Sequence, residues 1–189
     1  AAAVSAIFFA VFGTQFLLTQ WLQGPHGYSA LEAGIYFVQN AFAAFVASVS
    51  NPRWVARAGH RAVVASGLVL MAVGTASAAI AVAVDNVAGV VIAAVLVGFA
   101  IGTAAPSGVE LIMSSAPPEH AGAAAGVNET LVEAAGAFGI AVLGTVFATT
   151  DSFAWPLPVA TGVAIATAVA VAYGLRSERG SRRTDPVAE

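Results

Sequence analysis

The sequence predicts an all-α, polytopic membrane protein with six transmembrane helices. Hydrophobic residue types make up 59% of the 189 residues and charged types only 9%, with a mean hydropathy of +0.86. Soluble domains are about 45–50% apolar and about 25% charged. So few charges cannot cover a water-soluble surface of this size. The composition therefore excludes an ordinary soluble enzyme, a nucleic-acid-binding protein and a disordered chain.

The apolar residues fall into six stretches, each about as long as the ~20 residues that a membrane-spanning helix needs. Backbone polar groups in lipid must be satisfied within their own segment, so each stretch is predicted to be a helix. Short polar or proline-containing breaks separate them, among them Gly24-Pro25, Asn51-Pro52 and Pro117-Pro118. The predicted spans are residues 4–22, 31–50, 62–84, 87–113, 122–148 and 156–175. Residues 176–189 are expected to form a disordered, cytoplasmic polar tail.

All seven basic residues are arginines, and they lie in two groups. Arg53, Arg57 and Arg61 lie between the second and third stretches, and the other four lie in residues 176–183. The connections after the first, third and fifth stretches contain no basic residue. The positive-inside rule therefore predicts that both chain ends are cytoplasmic, in a plasma (inner) membrane. The chain begins at Ala1, without methionine or a secretory signal, and we expect it to be a piece of a longer protein.

Small residues predict where helices pack closely. Gly98 and Gly102 form a GxxxG pair in the fourth stretch, and Gly122 and Gly126 form another in the fifth. This spacing lets two helix backbones approach each other. Pro106 lies inside the fourth stretch and predicts a kink, because proline removes one backbone hydrogen bond.

Acidic residues at membrane depth are the main functional candidates, because burying them is costly. Glu129 and Glu133 are four residues apart, which places them about 40° apart on one face of the fifth helix. Two neighbouring carboxylates in a low dielectric cannot both ionise cheaply, so one of them is expected to hold a proton near neutral pH. Such a pair can exchange a proton for a cation. The alternative is that either acid simply hydrogen-bonds to a neighbouring helix.

Other polar residues could line a cavity, although each could equally make a single interhelical hydrogen bond. These candidates are Asn128, Gln15, Gln20, Gln39, Asn40 and Glu110, the last of which could also be an interfacial charge. Phenylalanines of the first two stretches could provide aromatic walls for an organic cation. The chain has no cysteine, and its histidines lack metal-ligand spacing, so we expect no metal and no cofactor.

Several motifs together resemble one family. The loop Pro117-Pro118-Glu119-His120-Ala121-Gly122, followed by a helix with regularly spaced glycines, resembles the C-terminal part of the 14-helix drug:proton antiporters of the major facilitator superfamily. The turn with Arg53, Arg57, Gly59 and Arg61 is similar to a cytoplasmic turn that recurs in that superfamily. Val127-Asn128-Glu129-Thr130 looks most like the quaternary-ammonium and dye exporters. Those carry acids matching Glu129 and Glu133, but also an aspartate that residues 31–51 lack.

The resemblance implies that the chain is the C-terminal six-helix half of a proton-coupled efflux transporter, not an enzyme. Its partners would be an N-terminal transmembrane bundle outside this chain, protons, a small organic substrate and the lipid bilayer. Glu129 and Glu133 would be the coupling sites, and the turn from Arg53 to Arg61 would help to gate the cytoplasmic side. Two alternatives stay open: a transporter of a neutral or anionic metabolite with the same fold, and a six-helix membrane scaffold that transports nothing.

Overall fold

The computed structural model describes residues 2–153 and 155–181, with backbone alone at residue 118 and over residues 172–181. The described residues form six long helices and no strand, which confirms the predicted fold class. The helices are α1 (Ala2–Gln23), α2 (Ala30–Ala58), α3 (His60–Ala83), α4 (Val87–Met113), α5 (Ala121–Thr150) and α6 (Leu157–Ser181). A single 3₁₀ turn, Pro118–His120, precedes α5.

The helices are long enough for a multi-pass membrane protein. Five of them, α1 to α5, are long and apolar enough to cross a bilayer, and in α6 the apolar part with described side chains is Leu157–Val171. The sixth helix continues to Ser181, beyond its predicted end at residue 175. Of the predicted polar tail, residues 182–189 lie outside the described residues.

The second helix differs from the prediction, because it does not end at Asn51-Pro52. It continues through Pro52 to Ala58. A proline inside a helix removes one backbone hydrogen bond and crowds the carbonyl of the preceding turn, which can bend a helix without ending it. Pro52 is exposed. Asn51 is buried and directs its side chain to α4, which holds this part of α2 against the bundle.

The order of packing separates three central helices from two peripheral ones. Helix α4 packs against α2 and α3, α1 packs against α5, and α6 packs against α3 and α1. Helices α1, α3 and α4 all contact one another, so they form the centre of the bundle. Within the described residues, α2 and α5 make no contact with each other. They flank the centre on opposite sides and each leaves a large part of its surface open.

Glycines set the closest approaches between helices. A Cβ atom at Gly98 would collide with the carbonyl oxygen of Asn40, and one at Gly102 with that of Ala44. The GxxxG pair of α4 therefore packs directly on the α2 backbone. The matching pair in α5, Gly122 and Gly126, faces open space, with no atom within 4 Å of an added Cβ.

Buried polar side chains add directional contacts to this apolar packing. Asn51 donates from Nδ2 to the carbonyl oxygen of Thr103 at 2.6 Å, and the Ser107 hydroxyl donates to Oδ1 of Asn51 at 3.1 Å. All three residues are buried. On the other side of the bundle, the Thr161 hydroxyl donates to that of Thr75 at 2.9 Å, which joins α6 to α3. Each contact is an interhelical hydrogen bond of the kind that stabilises membrane bundles.

Candidate transport site

A groove opens between α1 and α5, where the two helices cross most closely. A Cβ at Gly13 would lie 2.6 Å from Cδ1 of Leu143 and 2.8 Å from the carbonyl oxygen of Gly139. A Cβ at Gly139 would in turn collide with the carbonyl oxygen of Phe9. Beside this crossing lies a cavity of about 400 Å³, lined by Phe12, Gln15, Phe16, Thr19, Gln20 and Ile140. We call this cavity the α1–α5 groove.

The α1 wall of the groove combines aromatic rings with polar groups. Helical geometry brings Phe12, Gln15, Phe16 and Thr19 to one side of α1, because residues three, four and seven apart share a helix face. Phe12 is 39% exposed, and its ring centroid lies 6.1 Å from that of Phe8. The Thr19 hydroxyl donates to the Gln15 carbonyl, so it is already used within the helix. The side-chain amides of Gln15 and Gln20 make no hydrogen bond among the described residues and can serve a ligand.

The two acids of α5 lie along the same side of that helix as the groove. Glu129 and Glu133 are both exposed, whereas Asn128, Val132, Gly136, Gly139 and Leu143 form the buried side. Ile140 follows Glu133 by seven residues, which brings it within about 20° of Glu133 on the helix and about 10 Å further along. The groove-lining residue and the two carboxylates therefore form one stripe on α5.

The position along α5 places Glu133 well inside the helix. The helix begins at Ala121 and has 30 residues, which corresponds to a length of about 45 Å. Glu129 lies about 12 Å from its start and Glu133 about 18 Å. Among the described residues, Asp85 meets a basic side chain, with its Oδ1 atom 3.1 Å from Nε2 of His26. Neither Glu129 nor Glu133 has a basic partner in that part of the chain.

Asn128 is one residue from Glu129 but lies on another side of α5. It is 8% exposed, and its Oδ1 atom is enclosed with no hydrogen-bond partner among the described residues. An unpaired buried amide oxygen is costly. Asn128 is therefore a predicted cavity residue whose side-chain oxygen is buried and unused among the described residues.

The polar candidates of α2 have different surroundings. Asn40 donates from Nδ2 to the carbonyl oxygen of Ala94 at 2.8 Å, so it joins α2 to α4. This was the alternative that the sequence left open for it. The Oε1 atom of Gln39 is enclosed without a hydrogen-bond partner among the described residues. Gln15 and Gln20 are the predicted cavity residues that line the α1–α5 groove.

Glu110 lies apart from the two acids of α5. It is exposed and follows Gly108 by two residues, which turns it about 200° around α4. Gly108 contacts Val4 of α1. Glu110 therefore lies on the side of α4 that faces away from α1. Pro106, four residues earlier, is also exposed, and α4 continues through it to Met113.

The predicted gate turn is tighter than a loop. Arg53 and Arg57 belong to the last turns of α2, and Arg61 belongs to the first turn of α3. One residue, Gly59, separates the two helices, with φ +80° and ψ 157°. A side chain is strained at such a positive φ, and glycine is not. The sharp reversal between α2 and α3 therefore depends on Gly59.

Sequence reasoning did not assign a role to two groups that the structure singles out. Thr19 lines the α1–α5 groove, and Asn51 joins α2 to α4. Thr19 could have been found from its spacing of seven residues from Phe12, which puts both on one helix face. Asn51 could not be found in this way, because the dipeptide Asn-Pro predicts a turn when it is considered locally.

The helical bundle and its open groove define a class of protein: multi-pass membrane proteins built from packed helix bundles. Within that class, the chain matches the Major Facilitator Superfamily over residues 1–189, and it belongs to this family.

The chain is also similar to several drug exporters. It is 30% identical over 155 residues to the multidrug resistance protein Stp of Mycobacterium tuberculosis, covering 78% of this chain and 27% of that protein. It is 29% identical over 135 residues to the multidrug efflux pump LfrA of Mycolicibacterium smegmatis, covering 71% of this chain and 27% of that pump. It is 26% identical over 140 residues to the tetracenomycin C resistance and export protein of Streptomyces glaucescens, covering 74% of this chain and 26% of that protein. The matches span about a quarter of the length of these relatives.

Proposed function

We propose that this chain is the C-terminal six-helix bundle of a proton-coupled efflux transporter that exports organic cations or other drugs. The transporter would work by alternating access in the plasma membrane, with both ends of the chain in the cytoplasm. In this proposal it is of the 14-helix drug:proton antiporter type, close to the quaternary-ammonium exporters. The single observation that carries the proposal is the stripe of Glu129, Glu133 and Ile140 on α5, which runs into the α1–α5 groove.

The groove has the chemistry that an organic cation needs. Phe12 and Phe16 offer ring faces, which attract cations electrostatically. Gln15 and Gln20 offer amide oxygens, and the carboxylates further along α5 offer negative charge. Since no basic residue of the described chain neutralises those carboxylates, a cation or a proton can occupy them in turn. The exporters among the similar proteins agree with an outward direction of transport.

The open surfaces of α2 and α5 support a second bundle as partner. Both helices carry large exposed apolar side chains, including Phe42 and Phe45 on α2 and Phe138 on α5. Gly122 and Gly126 also face open space, so their predicted role in helix packing would need a surface outside these six helices. In our proposal, that surface is the N-terminal bundle of the complete transporter, and substrate binds between the two bundles near the middle of the membrane.

Dye efflux tests the proposal. Cells that express the complete transporter would be loaded with ethidium, an organic cation, and efflux would be followed after energising the membrane. Glu129→Gln and Glu133→Gln should each reduce efflux at least about tenfold, because the carboxamide of glutamine cannot take up and release a proton as a carboxylate can. The matched controls, Glu110→Gln and Glu119→Gln, make the same chemical change away from the groove and should retain efflux.

Other outcomes would favour the alternatives. Normal efflux in both α5 variants would contradict the coupling role of these acids. A transporter that ignores every cation tested, but moves sugars or organic acids, would show that the cation assignment is wrong. A protein that transports no probe and tolerates all four substitutions would agree with a membrane scaffold instead.

A further inference from the structure

Two apolar grooves run along α3, and neither shares a residue with the α1–α5 groove. One lies between α3 and α6 and the other between α2, α3 and α4, each with a volume of about 360 Å³. Val69 and Val73 line both grooves and are 56% and 49% exposed. They form a ridge on α3 with one groove on each side, and we call this feature the α3 ridge.

The linings of the two grooves suit hydrocarbon. The groove next to α6 is lined by valine, alanine and isoleucine side chains and by Thr161. The Thr161 hydroxyl donates to Thr75. In the second groove, the hydroxyls of Ser66 and Thr103 donate to carbonyl oxygens within their own helices. No hydroxyl of either lining is left to donate to a polar ligand, so chains of methylene groups fit these surfaces best.

One end of the grooves is marked by arginine. Trp54 lines the second groove and packs against Phe99, with ring centroids 5.7 Å apart. Arg57 follows Trp54 by three residues and lies within about 60° of it on α2, while Arg53 precedes it and lies about 100° away. Both arginines are exposed, and neither forms an ion pair within residues 2–153 and 155–181.

The depth of the grooves matches one leaflet of a bilayer. Helix α3 begins at His60, beside the arginines. The lining residues of α3 run from Ser66 to Ala76, which lie about 9 Å and about 24 Å from the start of the helix. A bilayer leaflet contributes about half of the ~30 Å hydrocarbon thickness. Hydrocarbon chains extending from a headgroup at the arginines would therefore occupy the levels at which the grooves lie.

We propose that this surface binds one anionic diacyl phospholipid. The phosphate interacts with Arg53 and Arg57, and one acyl chain lies on each side of the α3 ridge. Charge complementarity selects the headgroup, because two exposed guanidinium groups without carboxylate partners favour a net negative lipid over a zwitterionic one. The paired grooves select a lipid with two chains. This site shares no residue with the α1–α5 groove, so its test does not depend on the proposed transport function.

Trp54 itself reports on occupancy. In this chain, Trp21→Phe and Trp155→Phe leave Trp54 as the single tryptophan. The protein would be reconstituted in bilayers of phosphatidylcholine with a varied fraction of phosphatidylglycerol, with bromine on the acyl chains of one lipid at a time. Bromine quenches tryptophan fluorescence on contact, so the quenching measures the relative affinity of each lipid for the Trp54 groove. We expect phosphatidylglycerol to bind at least about fivefold more tightly than phosphatidylcholine. One arginine near the membrane surface contributes ~1 kcal/mol to the binding of an anionic lipid, which corresponds to this ratio of affinities.

Two variants and one control separate the parts of the proposal. Arg53→Gln combined with Arg57→Gln should bring the ratio of the affinities for phosphatidylglycerol and phosphatidylcholine close to one. Ser66→Phe should fill the groove and lower the quenching by both lipids while the arginines remain in place. The control, Arg182→Gln combined with Arg183→Gln, removes the same charge from residues outside the described part of the chain and should leave the preference unchanged.

Three results would overturn the proposal. The first is an equal affinity of the two lipids in the starting protein. The second is a preference that survives the loss of Arg53 and Arg57, or that falls as much in the control, since either shows attraction to the surface charge as a whole. The third is unchanged quenching in Ser66→Phe. Circular dichroism of each variant would verify its helix content, so that a misfolded variant is not counted as a loss of lipid binding.

Discussion

Asn51, Thr103 and Ser107 form a buried polar cluster between α2 and α4. Replacing Asn51 by alanine tests whether the contact between these two helices depends on that cluster. The substitution removes two hydrogen bonds, from Asn51 Nδ2 to the Thr103 carbonyl at 2.6 Å and from the Ser107 hydroxyl to Asn51 Oδ1 at 3.1 Å. Thr103 and Ser107 are both buried, so water cannot easily replace the lost partner. The cluster therefore loses both of its interhelical bonds at once.

The expected magnitude follows from measured hydrogen bonds between membrane helices, which average about 0.6 kcal/mol and reach about 1.7 kcal/mol. Two bonds give about 1.2 kcal/mol, with an upper limit of about 3.4 kcal/mol. Ser107→Ala removes only one of the two bonds and should cost about half as much. The double variant should cost less than the sum of the single ones, because the Asn51–Ser107 bond can be lost only once.

The assay is unfolding of the reconstituted or detergent-solubilised protein by increasing denaturing detergent, followed by circular dichroism. Asn128→Ala is the matched control, because Asn128 is also a buried asparagine but makes no hydrogen bond among the described residues. It should lower the free energy of unfolding less than Asn51→Ala. Equal values for Asn51→Ala and the unmodified protein, or additive effects of Asn51→Ala and Ser107→Ala, would refute the reasoning.

Three further predictions concern packing, the groove and a helix start. Gly98→Val should lower the free energy of unfolding by about 1–3 kcal/mol, because its side chain meets the Asn40 carbonyl and overpacking costs that much; Gly162→Val, in open space on α6, serves as its control in the same unfolding assay. Phe12→Ala should weaken binding of ethidium to the complete transporter by about fivefold, the loss of one exposed cation–π contact of ~1 kcal/mol; fluorescence titration measures it, and unchanged affinity would exclude Phe12 from the site. Ser29→Ala should cost about 1 kcal/mol of stability, since Ser29 and Glu32 form a reciprocal capping box; no change on unfolding would show that this cap is dispensable.

Much of the fold is predictable from the sequence, because the bilayer imposes a simple rule on it. Apolar stretches of sufficient length must be helices, and the six helices of the structure overlap the six predicted spans. The turn at Gly59 was predicted as well, but its sharpness was not. The prediction was wrong where a side chain makes a contact that is distant in the sequence. Asn51 and Pro52 predict the end of a helix, but the Asn51 side chain donates a hydrogen bond to a residue of α4 more than fifty residues away.

The site was less accessible to prediction for a similar reason. Gly98-Gly102 and Gly122-Gly126 have the same spacing, yet only the first pair meets another helix here. Spacing identifies residues that share a face, but it does not identify what that face contacts. The groove itself depends on the approach of α1 to α5 at Gly13 and Gly139, which involves positions far apart in the sequence.

The central claim is that Glu129 and Glu133 exchange a proton for a cation, and proton release on substrate binding tests it most directly. Ethidium would be added to the purified complete transporter in weakly buffered solution, and the change in pH would be recorded at several starting pH values. We expect proton release from the unmodified protein and from Glu110→Gln, and none from the variant that combines Glu129→Gln with Glu133→Gln. Binding of ethidium without any proton release, or release that persists in the combined variant, would contradict the account.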